Sequence, residues 1–147
     1  MSSIDLSLYQ HSVHIPIRFM DLDALQHVNN ARYLNFLEEA RIAYSQELLG
    51  IFKTIKELNV LVARVEIDYF RPILYGQKMK IYTRIAKMGS KSFVFDCAIT
   101  SNDGKQEFVA AQANQVMVMF NVKAQKSIPI SDELRSTIQQ LEPHLND

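Results

Sequence analysis

The chain has 147 residues, with 16 Lys and Arg against 16 Asp and Glu and a formal net charge of zero. That balance excludes the concentrated basic face a nucleic-acid binder needs, and no apolar run approaches the roughly 20 residues that cross a bilayer. The length fits one domain, expected over residues 1–147, with 48% hydrophobic residues to fill a core.

The N-terminal stretch Met-Ser-Ser-Ile-Asp-Leu has neither the basic start nor the apolar centre of a signal peptide. Val13, Ile15, Ile17 and Phe19 alternate with polar neighbours and predict a strand with one buried face. Pro16 within it cannot donate to a ladder, so its N side is expected at an edge or a break in pairing. Asp21 to Asn30 reads as a loop, with Asn29 or Asn30 as N-cap of the helix that follows. That helix is predicted from Ala31 to about Leu49 and ends at Gly50. Placed at about 100° intervals, Tyr33, Leu34, Phe36, Leu37, Ala40, Ala43, Tyr44 and Leu48 gather within about half the circumference. So wide a stripe fits a helix cradled by a curved sheet.

The second half reads as strands. Val65, Ile67 and Tyr69 alternate up to a break at Arg71-Pro72, and Tyr75-Gly76-Gln77 turns the chain into Met79, Ile81, Thr83 and Ile85. Met88-Gly89-Ser90 turns again into Phe93, Phe95, Cys97 and Ile99. Cys97, the only cysteine, therefore reads as a small core residue and permits no internal disulfide, which fits a reducing cytoplasm. Asn102-Asp103-Gly104 is a hairpin turn, and a long strand follows from Gln106 to about Asn121. Ser131 caps a short C-terminal helix ending near Pro143. The class is α+β: a long central helix packed on one face of an antiparallel meander.

The chemistry concentrates between Arg18 and Leu34. Asp23 stands beside a predicted helix N-terminus, where free N–H groups and the positive end of the dipole favour developing negative charge. An aspartate so placed attacks a thioester carbonyl or deprotonates the water that does, and amides around Asn29 to Ala31 steady the oxyanion. The same residue type also fits an Asx turn, which is common in any strand-to-helix loop. Asp21 reads as a turn or hydrogen-bonding residue. His27 is able to tune Asp23, bind substrate or transfer protons, or simply to make a hydrogen bond. Asn29 and Asn30 are capping residues that orient the amides. His11, His14 and His144 have no spacing that joins them to His27 as ligands, so no metal is expected. Lys87, Lys91 and Arg84 have the charge for a phosphate, yet scattered basic residues on strands are usually solvated.

The run from Asp21 to Arg41, Asp-Leu-Asp-Ala-Leu-Gln-His-Val-Asn-Asn-Ala-Arg-Tyr-Leu-Asn-Phe-Leu-Glu-Glu-Ala-Arg, resembles the signature of hotdog-fold acyl-CoA thioesterases of the 4-hydroxybenzoyl-CoA thioesterase type. The resemblance continues through Asp68-Tyr-Phe-Arg-Pro72, Gly76 and Gly89-Ser-Lys-Ser-Phe93, and so covers roughly Val13 to Phe120. It implies a helix wrapped by a curved antiparallel sheet, a homodimer or homotetramer with acyl pockets between subunits, and hydrolysis of an acyl-CoA with no cofactor apart from the CoA of the substrate. By position it makes Asp23 the nucleophile or general base, puts the carbonyl-polarising amide near Asn30, and adds His27 as a catalytic partner. Asn29 and Tyr33 then belong to the substrate side, with the acyl chain expected along Tyr33, Phe36 or Leu37. Lys91 and Ser92 match a strand start that approaches the CoA arm. Gln26 stands where many members have Gly, so the loop is expected to bend differently. The segment Gln26 to Asn30 also resembles acyl-ACP thioesterases, but those carry Asn where this chain has Leu25 and are usually twice as long. Acyl-CoA hydration or dehydration and non-catalytic acyl binding are the other activities the fold accommodates.

Overall fold

The computed structural model describes residues 3–50 and 59–147, so Met1 and Ser2 of the N-terminal stretch lie outside it. In chain order the elements are β1 (His11–Ile15), α1 (Arg32–Tyr44), β2 (Val60–Tyr69), β3 (Met79–Met88), β4 (Ser92–Asn102), β5 (Glu107–Asn121), β6 (Lys126–Ser127) and α2 (Asp132–Leu141). Among the described residues the sheet runs β1-β3-β4-β5-β2, with β6 on the end of β5, and every pairing is antiparallel. Register breaks at Val62/Arg64, Ile85/Lys87 and Ile99/Thr100 are bulges. Such bulges sharpen local twist and let long strands curl around a helix.

The concave face is written in the alternation of the strands. Ile81, Ile85, Phe95, Cys97, Ile99, Ala111 and Ala113 all point inward and are buried. The two alanines leave room for α1 to lie close, and Tyr33, Phe36, Leu37 and Ala40 of α1 pack into that space. A second cluster forms around Tyr44, Phe93, Phe95, Met117 and Ile138, where α2 joins. Burying each of the larger side chains contributes about 1.5–3 kcal/mol.

Two boundaries differ from the sequence reading. The first strand ends at Ile15, because Pro16 stops the ladder, and Phe19 belongs instead to a 3-10 turn at Phe19–Asp21 with its ring exposed. The helix is shorter than expected: thirteen α-helical residues end at Tyr44, and Ser45–Leu49 continue as a wider π turn. There the N–H of Gly50, at φ +65°, reaches back five residues to the Ser45 carbonyl. Glu47 of that turn meets His11 Nε2 of β1 at 2.5 Å.

The second cluster contains one buried acid. Glu142 follows α2 and accepts from the Tyr44 hydroxyl at 2.5 Å and the Ile85 amide at 2.8 Å, at the bulge in β3. Burial disfavours its charge and pushes its carboxyl above the ordinary range, against the two donors that favour the charged form. A carboxyl raised in the folded state adds stability below its unfolded value of about 4.3 and loses it as pH climbs through the folded value. Glu142→Gln is therefore expected to flatten that loss and keep the melting temperature at pH 7 at or above that of the parent. Glu142→Ala, which strands the hydroxyl and the amide, is expected to cost about 2 kcal/mol. Thermal melts between pH 4 and 8 read both effects.

Candidate active site

The loop between β1 and α1 is fixed by the residue that the sequence made secondary. Asp21 is fully buried (0% exposed). Its Oδ1 meets Arg18 Nη2 at 2.9 Å and Arg32 Nε at 3.8 Å, and its Oδ2 accepts from the Arg18 amide at 2.8 Å. The Asp21 carbonyl takes the Asn29 amide at 2.8 Å. The Arg18 guanidinium holds the Asp21 carboxyl below the usual range, overcoming the opposing effect of burial. One carboxylate thus ties the last turn before the loop to the first turn of α1.

Between these ties the chain makes a small hairpin. Leu22 bridges Val28, the Asp23 amide donates to the His27 carbonyl at 2.8 Å, and Val28 donates to the Ile73 carbonyl at 2.8 Å. Asp23 sits at the closed end and is exposed. Its Oδ1 accepts from the amides of Leu25 at 2.9 Å and His27 at 3.1 Å. Oδ2 has no hydrogen-bond partner among the described residues. The Asx turn and a reactive carboxylate therefore coexist: one oxygen closes the loop and the other stays open. Gln26 takes φ +65°, a conformation glycine adopts freely. The chain bends there despite its side chain, at a cost of about 1–2 kcal/mol.

At the start of α1, Asn29 Oδ1 accepts the Ala31 amide at 3.0 Å, while the Arg32 and Tyr33 amides go to the carbonyls of Asn29 and Asn30. Of the amides from Asn29 to Tyr33, that of Asn30 has no acceptor among the described residues. The N-cap position itself falls at Ala31 with no side-chain cap, so neither asparagine is the N-cap the sequence predicts. Asn29 instead turns the chain into the helix through its bond to the Ala31 amide, and Asn30 offers a free N–H just before it. His27 touches Asp23 through backbone only; no hydrogen bond joins its ring to the carboxylate. Phe19, Met20, Leu25, Leu74 and Tyr75 form an exposed apolar rim around the loop, with the Phe19 and Tyr75 rings edge-to-face at 6.2 Å.

The other expected residues fall elsewhere. Tyr33 is buried between Phe36 and Tyr69, and burial pushes its hydroxyl up to about 12. Phe36 and Leu37 are equally enclosed in the chain's own core, so no acyl groove runs beside these three in a single subunit. Lys91 and Ser92 start β4, at the far end of the sheet from Asp23 by the length of β3, roughly 30 Å at about 3.3 Å per residue. Near them opens a cavity of about 590 Å³, whose walls include Val60, Leu61, Phe93, Met117, Met119 and Leu134. Arg41 also lines it, and the sequence reading passed over this residue. The signal was available: Arg41 is four residues after Leu37 and three before Tyr44, within the buried stripe. Among the described residues no group of three or more His, Cys, Asp or Glu is gathered closely enough to hold a metal ion.

Comparison with known proteins follows the same geometry. A family model described as the thioesterase-like superfamily matches residues 17–138. The chain is 33% identical over 128 residues to a long-chain acyl-CoA thioesterase, FadM, of Escherichia coli strain K12, covering 86% of this chain and 96% of that one. A thioesterase from Thermus thermophilus, solved with coenzyme A and Zn, superposes with a TM-score of 0.81 at 33% identity, covering 92% of this chain and 96% of that chain. A 1,4-dihydroxy-2-naphthoyl-CoA thioesterase from Synechocystis shares the fold at a TM-score of 0.74 and 18% identity, over 86% and 93% of the two chains.

Asp21→Asn keeps the shape of the anchor and removes its charge, leaving Arg18 and Arg32 without their acid. It is expected to destabilise the protein by about 3 kcal/mol at pH 7. A carboxyl lowered in the folded state gives stability above its unfolded value of about 3.9 and loses it as pH falls through the folded value. The gap between variant and parent should therefore narrow toward pH 3, as urea denaturation at pH 7 and pH 3 will show.

Proposed function

The chain belongs to the thioesterase-like superfamily of thioester hydrolases, and we propose that it cleaves acyl-CoA to the free acid and CoA through Asp23. The observation that carries this reading is the pairing of an open carboxylate oxygen on Asp23 with an unfilled amide on Asn30, on a loop that Asp21 holds rigid. The thioester carbonyl sits between them. Asp23 Oδ2 either attacks the carbonyl carbon or takes a proton from the water that does. The oxyanion that forms is met by the Asn30 N–H and the positive end of α1. The carbon–sulfur bond then breaks, and the CoA thiolate leaves and takes up a proton. On the nucleophilic route a water then cleaves the acyl–Asp23 anhydride, releasing the free acid and restoring the carboxylate. His27 acts through its amide, which fixes the Asp23 carboxylate, and its ring faces the acyl group. Water and the substrate suffice for this chemistry, so no cofactor is invoked. The carrier is CoA, as in the names of the two 33%-identical relatives. With its lone cysteine a buried thiol, the protein works in the reducing cytoplasm.

A second copy completes the site. β2 pairs only β5 among the described residues, and it carries exposed Leu61, Val62 and Tyr69, with Phe70 just beyond its end. A ten-residue edge with unpaired backbone groups calls for another strand, and antiparallel pairing of β2 with its own copy satisfies a two-fold axis. Such pairing sets the Tyr69 end of one chain against the Val60 end of the other. The Tyr69 hydroxyl bonds the Asn30 carbonyl at 3.3 Å, so the Tyr69 end is the catalytic end. The Val60 end is level with β4's start, through Leu61, Val118 and Ser92 in register. Lys91, Ser92 and the cavity of one chain thereby face Asp23 of its partner, and the CoA arm and acyl tail divide between subunits.

The test is thiol release from acyl-CoAs of 4 to 18 carbons and from aromatic acyl-CoAs. Asp23→Asn is expected to lower kcat by about 10³-fold or more with an unchanged melting curve; full activity in the variant removes Asp23 from the mechanism. Val62→Lys on the free edge is expected to convert a dimer to monomer by light scattering and to abolish turnover with Asp23 intact.

A further inference from the structure

The cavity near β4's start has an apolar wall of Val60, Leu61, Phe93, Phe95, Met117 and Met119, and a polar side that includes Glu38, Glu133 and one cation. Its floor carries Arg41, whose side chain is only 12% exposed. Burial of a guanidinium is costly unless its donors are filled, and Arg41 has five of them. Nη1 donates to Gln115 Oε1, and Gln115 in turn donates to Cys97 Sγ at 3.2 Å. Thr83 Oγ1 closes this chain at 3.5 Å from the same sulfur. For the rest of the guanidinium the single charged neighbour is Glu38, 4.0 Å away, on a side chain 65% exposed. Among the described lining residues Arg41 is the only Lys or Arg. The cation is held in place on one side by a fully buried amide, and its N–H groups without a partner among the described residues open on a cavity walled by Phe93, Phe95, Met117 and Met119.

We propose that this cavity takes the distal part of the acyl chain and that Arg41 makes it select acyl groups carrying an oxygen acceptor near their far end, a hydroxyl or a carboxylate. The inference rests on the acyl-CoA reading for the direction from which the chain enters. The selection itself follows from the cavity alone. A volume of about 590 Å³ lies inside the roughly 300–1,000 Å³ range of small-ligand sites, and the walls suit methylene groups. A plain alkyl end would press against a guanidinium and leave its donors empty, whereas an oxygen would fill them. A polar group presented by a site discriminates strongly against the analogue that lacks its partner. Glu38 and Glu133 also line the cavity, so the neutral hydroxyl should gain at least as much as the carboxylate.

The experiment compares acyl-CoAs matched in length from 8 to 16 carbons, each as the plain chain, the ω-hydroxy chain and the ω-carboxy chain. Non-hydrolysable S-alkyl thioethers of CoA with the same tails are measured in parallel by calorimetry. Wild-type protein is expected to favour at least one oxygenated tail over its plain counterpart by about tenfold to a hundredfold at the best length, the range that one charged hydrogen bond supplies. The preference should appear in KM and in thioether affinity, with kcat little changed. Arg41→Met should bring the ratio to about one, and Arg41→Lys should restore part of it. A wild-type preference for plain tails at every length overturns the proposal without any variant, as does an unchanged ratio in folded Arg41→Met. If no thioester is hydrolysed, the enzymatic reading fails, while the thioether affinities still decide the role of Arg41.

Discussion

The ion pair between Asp21 and Arg18, with Arg32 beside it, is the constraint on which the site depends. A carboxylate excluded from water is stable only when its oxygens are matched by donors. Here those donors come from both sides of the loop: the Arg18 amide and guanidinium before it, and the Arg32 guanidinium after it. The Asp21 carbonyl adds the Asn29 amide. The loop's two ends are thus closed on a single residue, and the hairpin from Leu22 to Val28 is left as a short, tightly bonded projection. Asp23 is rigid without being buried. On the proposed role for Asp23, that rigidity means positioning is complete before substrate arrives.

The same arrangement divides the molecule along α1. At its N-terminal end the interior is filled: Tyr33, Phe36, Leu37 and Ala40 meet Ile81, Ile99 and two alanines. At its C-terminal end the π turn widens the helix, and α2 stands off across a cavity. The cavity's cation is braced through the sheet itself, from Thr83 on β3 to Cys97 on β4, Gln115 on β5 and Arg41 on the helix. Each polar group in that chain sits at an inward position of its strand, where alternation would otherwise call for an apolar residue. A buried network of this kind fixes the arrangement of the core and anchors the cation on one side, leaving its other donors for the cavity.

Most of the fold was legible because it is written in periodicity. Strands β3, β4 and β5 follow alternation that the sequence displays directly, and the turns at Gly76, Gly89 and Asn102–Gly104 lie where their residues demand. The misreadings have local causes. Pro16 interrupts an apolar alternation that continues past it in sequence but not in structure. The helix pattern runs to Leu49 because a π turn keeps side chains on nearly the same face while changing its hydrogen bonds. Gln26 was expected to alter the loop, yet it adopts the glycine-like conformation, since the ties around Asp21 and Val28 outweigh one strained residue. The placement of Asp23 on a loop ahead of a helix start near Asn29 to Ala31 was legible from spacing. The burial of Asp21 was not, since two aspartates two apart carry no sign of which one the fold encloses.

Asp23 stands in water in the single chain, and there lies the physical case for a second subunit. In a high-dielectric setting one amide and one helix end do little for an oxyanion, and the hydration of a carboxylate competes with its attack on carbon. Both limits are lifted when a surface closes over the loop. The apolar rim of Phe19, Leu25, Leu74 and Tyr75, three of them more than half exposed, is the border such a surface would seal. The proposed pairing of β2 with its copy would supply that surface and would carry the cavity to the carboxylate in the same movement. The loop is held in one geometry by contacts within a single chain, while its solvent environment is left open for a second surface to change.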